Sequence, residues 1–354
     1  MTATADSGAP GALFAAYLGE KRPQIEAFLA ECAPACVAGT AEATRADLDR
    51  YLYQPLERFT ASGGKRTRPA LALLGCEAVG GDPAAALSTA AAIEYFQSAA
   101  LIHDDIADKS ELRRGEPCTY VTEGTGVAIN IGDLGLVNVL ALVLRDQKLP
   151  AAIRADVAER LVQMEERTLE GQALDLGWVR DGRWDISVED YLYMASHKTA
   201  YYSAAVPLVT GALCGGGAPD QLRALDEFGM RAGLAFQLQD DLLNLVGDVE
   251  AQGKDFRSDI TEGKRTLLMV WALAHLGDLQ RDELLHILGR ETTDAAELAR
   301  AVELIDASGA VDYVRGYARE LVADAKAHLV GARLEEVPRD VLLSMADFFV
   351  ERAG

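Results

Sequence analysis

The stretch Ala99-Ala100-Leu101-Ile102-His103-Asp104-Asp105-Ile106-Ala107-Asp108 decides the fold, because an apolar run leads directly into a set of aspartates. On a helix, Asp104 and Asp108 lie one turn apart on one face, and Asp105 points about 100° round. Two aligned carboxylates after so apolar a run are costly if buried, unless they are paired or hold a cation. Mg²⁺ suits them, since it takes a few carboxylates and fills its remaining positions with water and substrate phosphate. The geometry returns at Phe236-Gln237-Leu238-Gln239-Asp240-Asp241-Leu242-Leu243-Asn244, with Asn244 where a third Asp would fall. One such string is common on a solvated helix face. Two of them among apolar residues, facing each other across a bundle, form the polynuclear metal site that bundles readily build.

Helical signals extend outward from both clusters. Ala, Leu, Glu and Arg are abundant, apolar residues recur at three- and four-residue spacing, and strand signals are nearly absent. Breaks fall at Ser62-Gly63-Gly64, Gly80-Gly81-Asp82-Pro83, Gly124-Thr125-Gly126, Asp181-Gly182, Gly215-Gly216-Gly217-Ala218-Pro219 and between Gly247 and Gly263. The expectation is an all-α, single-domain bundle of many helices around a deep central cleft. Residues 1–45 are Ala-rich, carry no motif, and read as an N-terminal helical arm or extension ahead of a domain over 46–354.

The 354 residues hold 34 Lys and Arg against 55 Asp and Glu, a net charge of −21. That balance argues against a nucleic-acid surface or an anionic membrane surface. An anionic ligand would therefore need metal ions or a local basic cluster. Five scattered cysteines lack zinc-ligand spacing and suit a reducing compartment. No secretory signal opens the chain, and no uninterrupted apolar stretch approaches bilayer length, so a cytoplasmic protein without a membrane span is expected.

Basic motifs answer the charge conflict. In Gly63-Gly64-Lys65-Arg66-Thr67-Arg68-Pro69 a Gly-Gly turn leads into a helix start, where backbone N–H groups and the dipole favour an anion. Lys65 and Arg68, three apart, offer one diphosphate a point charge and a planar fork. Leu112-Arg113-Arg114-Gly115, His197-Lys198-Thr199, Gly253-Lys254-Asp255 and Ser258-Asp259-Ile260-Thr261-Glu262-Gly263-Lys264 follow. Each alone reads as surface charge. Interleaved with the acidic clusters, they describe a cleft for magnesium-bridged diphosphates.

From Gly63 to Lys264 the sequence resembles the trans-isoprenyl diphosphate synthases, the family of farnesyl and geranylgeranyl diphosphate synthases. The resemblance rests on six motifs in family order: GGKRTRP, DDIAD with RRG, GQALDL at 171–176, Lys198-Thr199, FQLQDD, and the GK…SD…GK tail. It implies a prenyltransferase that joins isopentenyl diphosphate to an allylic diphosphate. Three Mg²⁺ ions would be clamped by Asp104 and Asp108 on one side and Asp240 on the other, with Asp105 and Asp241 supporting. Arg113, Lys198, Lys254 and Lys264 would hold the allylic diphosphate. Gly64, Lys65, Arg68, Gln97 and Arg114 would hold isopentenyl diphosphate. Thr199 and Gln237 would stabilise the carbocation, and Gln172 and Asp175 would line the site. Asn244 departs from the family's third Asp, as in some eukaryotic-type geranylgeranyl synthases, and removes a charge from the second cluster. A homodimer is also implied.

Product length is read from the helix bearing the first cluster. Ala99 and Ala100 lie about one turn below Asp104 and leave room where farnesyl-type enzymes place an aromatic. Phe96, about 12 Å below Asp104, offers a deeper floor or is an ordinary core ring. A twenty-carbon product is expected, with longer ones next. A class I terpene cyclase would not need the isopentenyl diphosphate set, and a regulatory partner subunit would have lost a cluster or Lys198; this chain retains them.

Overall fold

Stretches rich in Ala, Leu and Glu between Gly and Pro breaks have one economical solution, a stack of helices that bury their apolar stripes on one another. The computed structural model describes residues 11–247 and 256–351 and shows that solution. Helix α1 (Ala12–Glu31) is followed by α2 (Glu42–Leu48), a π-helical turn (Asp49–Tyr53), α3 (Gln54–Ala61) and α4 (Thr67–Ala78). Then come α5 (Leu87–Ala107), a tiny hairpin of β1 (Leu112–Arg113) and β2 (Glu116–Pro117), α6 (Thr119–Glu123), α7 (Thr125–Arg145) and α8 (Ala151–Arg180). Helix α9 (Val188–Ala195) runs through a π-helical stretch (Ser196–Ala205) into α10 (Val206–Cys214) and α11 (Pro219–Val246). The remainder is α12 (Ser258–Thr261), α13 (Leu267–His275), α14 (Asp278–Leu288), α15 (Ala295–Ala307), α16 (Ala310–His328) and α17 (Glu336–Glu351).

Local chemistry sets several of these boundaries. The Asp82 side chain accepts from Ala84 N at 2.9 Å and starts the turn into α5. Ser187 and Asp190 form a reciprocal capping box at the head of α9. Pro219 sits in the first turn of α11, where its missing N–H costs nothing.

Two apolar clusters hold the bundle. The first joins α1, α4, α5, α7, α8, α10 and α17; the second joins α9 to α13–α16, and α11 contributes to both. The acidic segments end α5 and lie within α11, so both core clusters position the cleft between them. Helix α1 belongs to the first core: Phe14 is fully buried, edge-on to Phe348 and Phe349 with ring centroids 5.5 and 6.0 Å away.

Helix α7, 21 residues long, is apolar enough in composition to cross a membrane. Gly, Asn and the single Asp133 interrupt the run in sequence, yet the helix as a whole qualifies. One face, including Ile131, Val139 and Val143, is buried within the bundle, as a core helix would be.

Phe14→Ala should destabilise the fold by about 3–4 kcal/mol through lost burial and the cavity left behind. Denaturant titration measures this directly, and a change below about 1 kcal/mol would mean that α1 is not part of the cooperative core.

Candidate active site

The C-terminal end of α5 presents its aspartates to two different environments, as 3.6-residue periodicity requires. Asp104 and Asp108 are half-buried and face the cleft. Asp104 Oδ1 accepts from Gln172 Nε2 at 2.8 Å, and Asp108 Oδ2 lies 3.6 Å from Lys264 Nζ. Asp105, only 1% exposed, faces the other way and accepts from Arg113 Nε at 2.7 Å and Nη2 at 2.6 Å. A buried carboxylate is tolerable only with such a partner.

The hairpin turns through Arg114 and Gly115, both at positive φ (55° and 83°), a two-residue turn of the kind that closes right-twisted strands. Arg113 therefore folds back onto Asp105. Arg114 reaches the glycine loop instead, donating to Gly63 O at 2.8 Å. Within that loop Arg66 is turned inward, paired with Glu94 and donating to Thr60 O at 2.7 Å, while Lys65 stays exposed. Arg68, one turn on, donates to Tyr202 Oη and Ser203 Oγ, both at 2.8 Å. Gln97 is half-buried on α5, two turns before Asp104. Gly64 abuts the Arg114 guanidinium.

The opposite wall comes from α8, the π-helical stretch and α11. Gly171 lies against the backbone of Lys198 with no room for a Cβ, which brings the two elements together. Lys198 then pairs with Asp175, and Thr199 lines the same pocket of about 100 Å³. Asp241 is buried and accepts from Tyr191 Oη at 2.6 Å and from Gln237 Nε2 at 2.7 Å. That commits the Gln237 amide nitrogen and leaves its oxygen as the dipole for the pocket. Asp240, one residue earlier on the helix, is half-buried. Asn244 donates to Ser258 Oγ at 3.1 Å and accepts from Asp259 N at 3.2 Å, so it pins the head of α12. Lys254 lies outside the described residues.

Electrostatics mark the cleft as short of positive charge. Burial raises the Asp108 carboxyl, and neighbouring Asp104 and Glu262 raise it further against Lys264. Asp241 and Asp259 are both pushed up, first by burial and then by neighbouring acids: Asp259 and Asp240 act on Asp241, and Glu262 and Asp175 on Asp259. Hard oxygen donors with excess negative charge fit a hard divalent cation. Among the described residues no three His, Cys, Asp or Glu side chains converge to hold an ion unaided. Any ion here would complete its shell with water and phosphate oxygen.

Comparison with known proteins decides the family. The profile described as Polyprenyl synthetase matches residues 49–305. The chain belongs to the polyprenyl synthetase family. This polyprenyl synthetase is 41% identical over 303 residues to a short chain isoprenyl diphosphate synthase of Methanothermobacter thermautotrophicus, covering 85% of this chain and 90% of the relative. Its structure is similar to geranylgeranyl pyrophosphate synthetase of Pyrococcus horikoshii, with TM-score 0.85 and 32% identity, covering 96% and 98% of the two chains. It is also similar to the Corynebacterium glutamicum geranylgeranyl pyrophosphate synthase solved with isoprenyl diphosphate and magnesium, with TM-score 0.84 and 31% identity, covering 95% and 98%.

Sequence reading of the polyprenyl synthetase did not single out Tyr191, Asp259 or Arg265. Asp259 sits inside the tail motif with nothing local to mark its role, and Tyr191 carries no local signal because its partner is fifty positions away. Arg113→Leu should leave Asp105 buried without a counter-charge and cost on the order of 2 kcal/mol, reduced by the partial exposure of Arg113. Thermal or urea melts check this; an unchanged midpoint would show that water solvates Asp105 instead.

Proposed function

We propose that this polyprenyl synthetase condenses isopentenyl diphosphate with an allylic diphosphate head to tail, releases pyrophosphate, and makes geranylgeranyl diphosphate. The observation that carries the reading is one cleft bordered by two acidic helical segments, with a bonded pair of basic loops beside it. That arrangement provides separate places for two diphosphates. Asp104, Asp108 and Asp240 would hold magnesium, three ions by family likeness, with Asp105 and Asp241 fixing the groups behind them. Magnesium, when bound, supplies positive charge that stabilises the departing pyrophosphate.

The chain's own residues do the rest. Lys198, oriented by Asp175, together with Arg113 and Lys264 holds the allylic diphosphate, and Lys254 would join them. Gln172 orients Asp104. Gly64, Lys65, Arg68, Gln97 and Arg114 hold isopentenyl diphosphate, whose double bond is thereby placed against the allylic C1. As the C1–O bond breaks, its electron pair leaves with pyrophosphate. Thr199 and the Gln237 amide oxygen face the resulting cation. The double bond supplies electrons to C1, and the new cation loses a proton to pyrophosphate.

Small residues at Ala99 and Ala100 support a long tail. Phe96 is buried with its ring edge-on to Tyr202, centroids 5.5 Å apart, rather than standing as an isolated plug. Helix α7 turns Ile129, Val137 and Leu144 outward. That apolar row is the proposed contact with a second copy in a cytoplasmic homodimer.

With Mg²⁺, isopentenyl diphosphate and each of dimethylallyl, geranyl and farnesyl diphosphate, mass spectrometry should detect products of twenty carbons. EDTA should abolish them, and Asp104→Ala should slow them by at least about a hundredfold. Absence of elongation by folded protein with every starter would end this reading. Separately, Val137→Asp should shift the protein from dimer toward monomer in sedimentation velocity, with no shift if the α7 face is not the interface.

A further inference from the structure

Lys264 stands between the two acidic walls, with its Nζ 2.6 Å from Glu262, 3.6 Å from Asp108 and 3.9 Å from Asp259. Its stem is long and rotatable, so the reach of its ammonium depends on where the backbone is held. The next residue borders the same pocket but is held differently. Arg265 is 3% exposed, donates through Nε to Arg183 O at 2.7 Å and through Nη1 to Gly263 O. Its guanidinium lies 3.8 Å from the ring centroid of Trp184. Lys264 N closes the same turn on Asp259 O at 2.9 Å, and Gly263 has positive φ at 63°.

Arg265 thus spends a planar fork on two neutral carbonyls, with the Asp175 carboxylate acting on it only through space among the described residues. Burial pushes its pKa down to about 10, against the attraction of Asp175. An apolar side chain would fill such a place at less desolvation cost. What the fork supplies is geometry, since one rigid group spans the turn carrying Lys264 and the α8–α9 connection.

We infer that Arg265, stacked on Trp184 and bridging the carbonyls of Arg183 and Gly263, is a positioning residue that fixes the backbone of Lys264 opposite Asp108. The turn stays fixed while the Lys264 ammonium swings from Asp108 to an arriving diphosphate. This rests on the proposed role of Lys264 in diphosphate binding, and its test uses binding rather than turnover.

Titration calorimetry of the full chain with pyrophosphate and Mg²⁺ should compare wild type, Arg265→Ala, Lys264→Ala and the double variant. Arg265→Ala should weaken binding about tenfold alone and less than about twofold in the Lys264→Ala background, because it acts through that lysine. Arg265→Lys, which keeps charge without the fork, should resemble Arg265→Ala. Trp184→Leu should give a smaller loss in the same direction and covers the case in which Arg265→Ala fails to fold. Factors that multiply in the double variant would overturn the inference, as would full binding by Arg265→Lys. Pyrophosphate bound normally by Lys264→Ala would remove the lysine's role and the inference with it, whereas missing elongation with these couplings intact would count against the synthase reading alone.

Discussion

Carboxylates crowd the cleft between the end of α5 and the middle of α11, and the surrounding architecture is arranged to make that crowding bearable. Asp105 is taken out of the cleft by rotation about its helix and paired with Arg113, while Asp241, buried in the pocket wall, is held by Tyr191 and Gln237. Asp175 and Asp108 have lysines nearby. The remaining negative charge is what a divalent cation would neutralise. Two like-charged walls held apart by packed helices form a stable receptor for cations and an unstable structure without compensating groups.

The basic side follows a related economy. The glycine loop and the Arg113–Glu116 hairpin are remote in sequence, yet Arg114 ties them through the Gly63 carbonyl. Of the two adjacent cations in the loop, one is invested in the fold and one is left in solvent. Arg66 is buried on Glu94, and Lys65 is exposed. Alternation within a dipeptide thus separates a buried, paired charge from an exposed one.

Periodicity in the sequence was enough to read the all-α bundle, since apolar spacing and glycine breaks are local properties. The pairing of Asp104 with Asp108 on one face was legible for the same reason. Long-range partners were not: the hydrogen bonds of Gln172 to Asp104 and of Tyr191 to Asp241 join distant segments. Asn244 looked like a missing charge and turned out to hold the head of α12 through Ser258 and Asp259. The division at residue 45 marks a change in composition, whereas the first core extends across it to Phe14.

The π-helical stretch from Ser196 to Ala205 has a consequence for how such a chain could diversify. Wider turns carry more residues per revolution than the α-helices on either side, as though length had been added without breaking the rod. Lys198 and Thr199 ride on that surplus. Removing one residue there would let the segment relax toward α-helix and swing both side chains about 100° off their present bearing. The helix would survive such an edit, and the pairing of Lys198 with Asp175 would not. Substitution is constrained there too, because the backbone of Ala200 and Ala205 lies against Gly233 and Gly229 with no room for a Cβ.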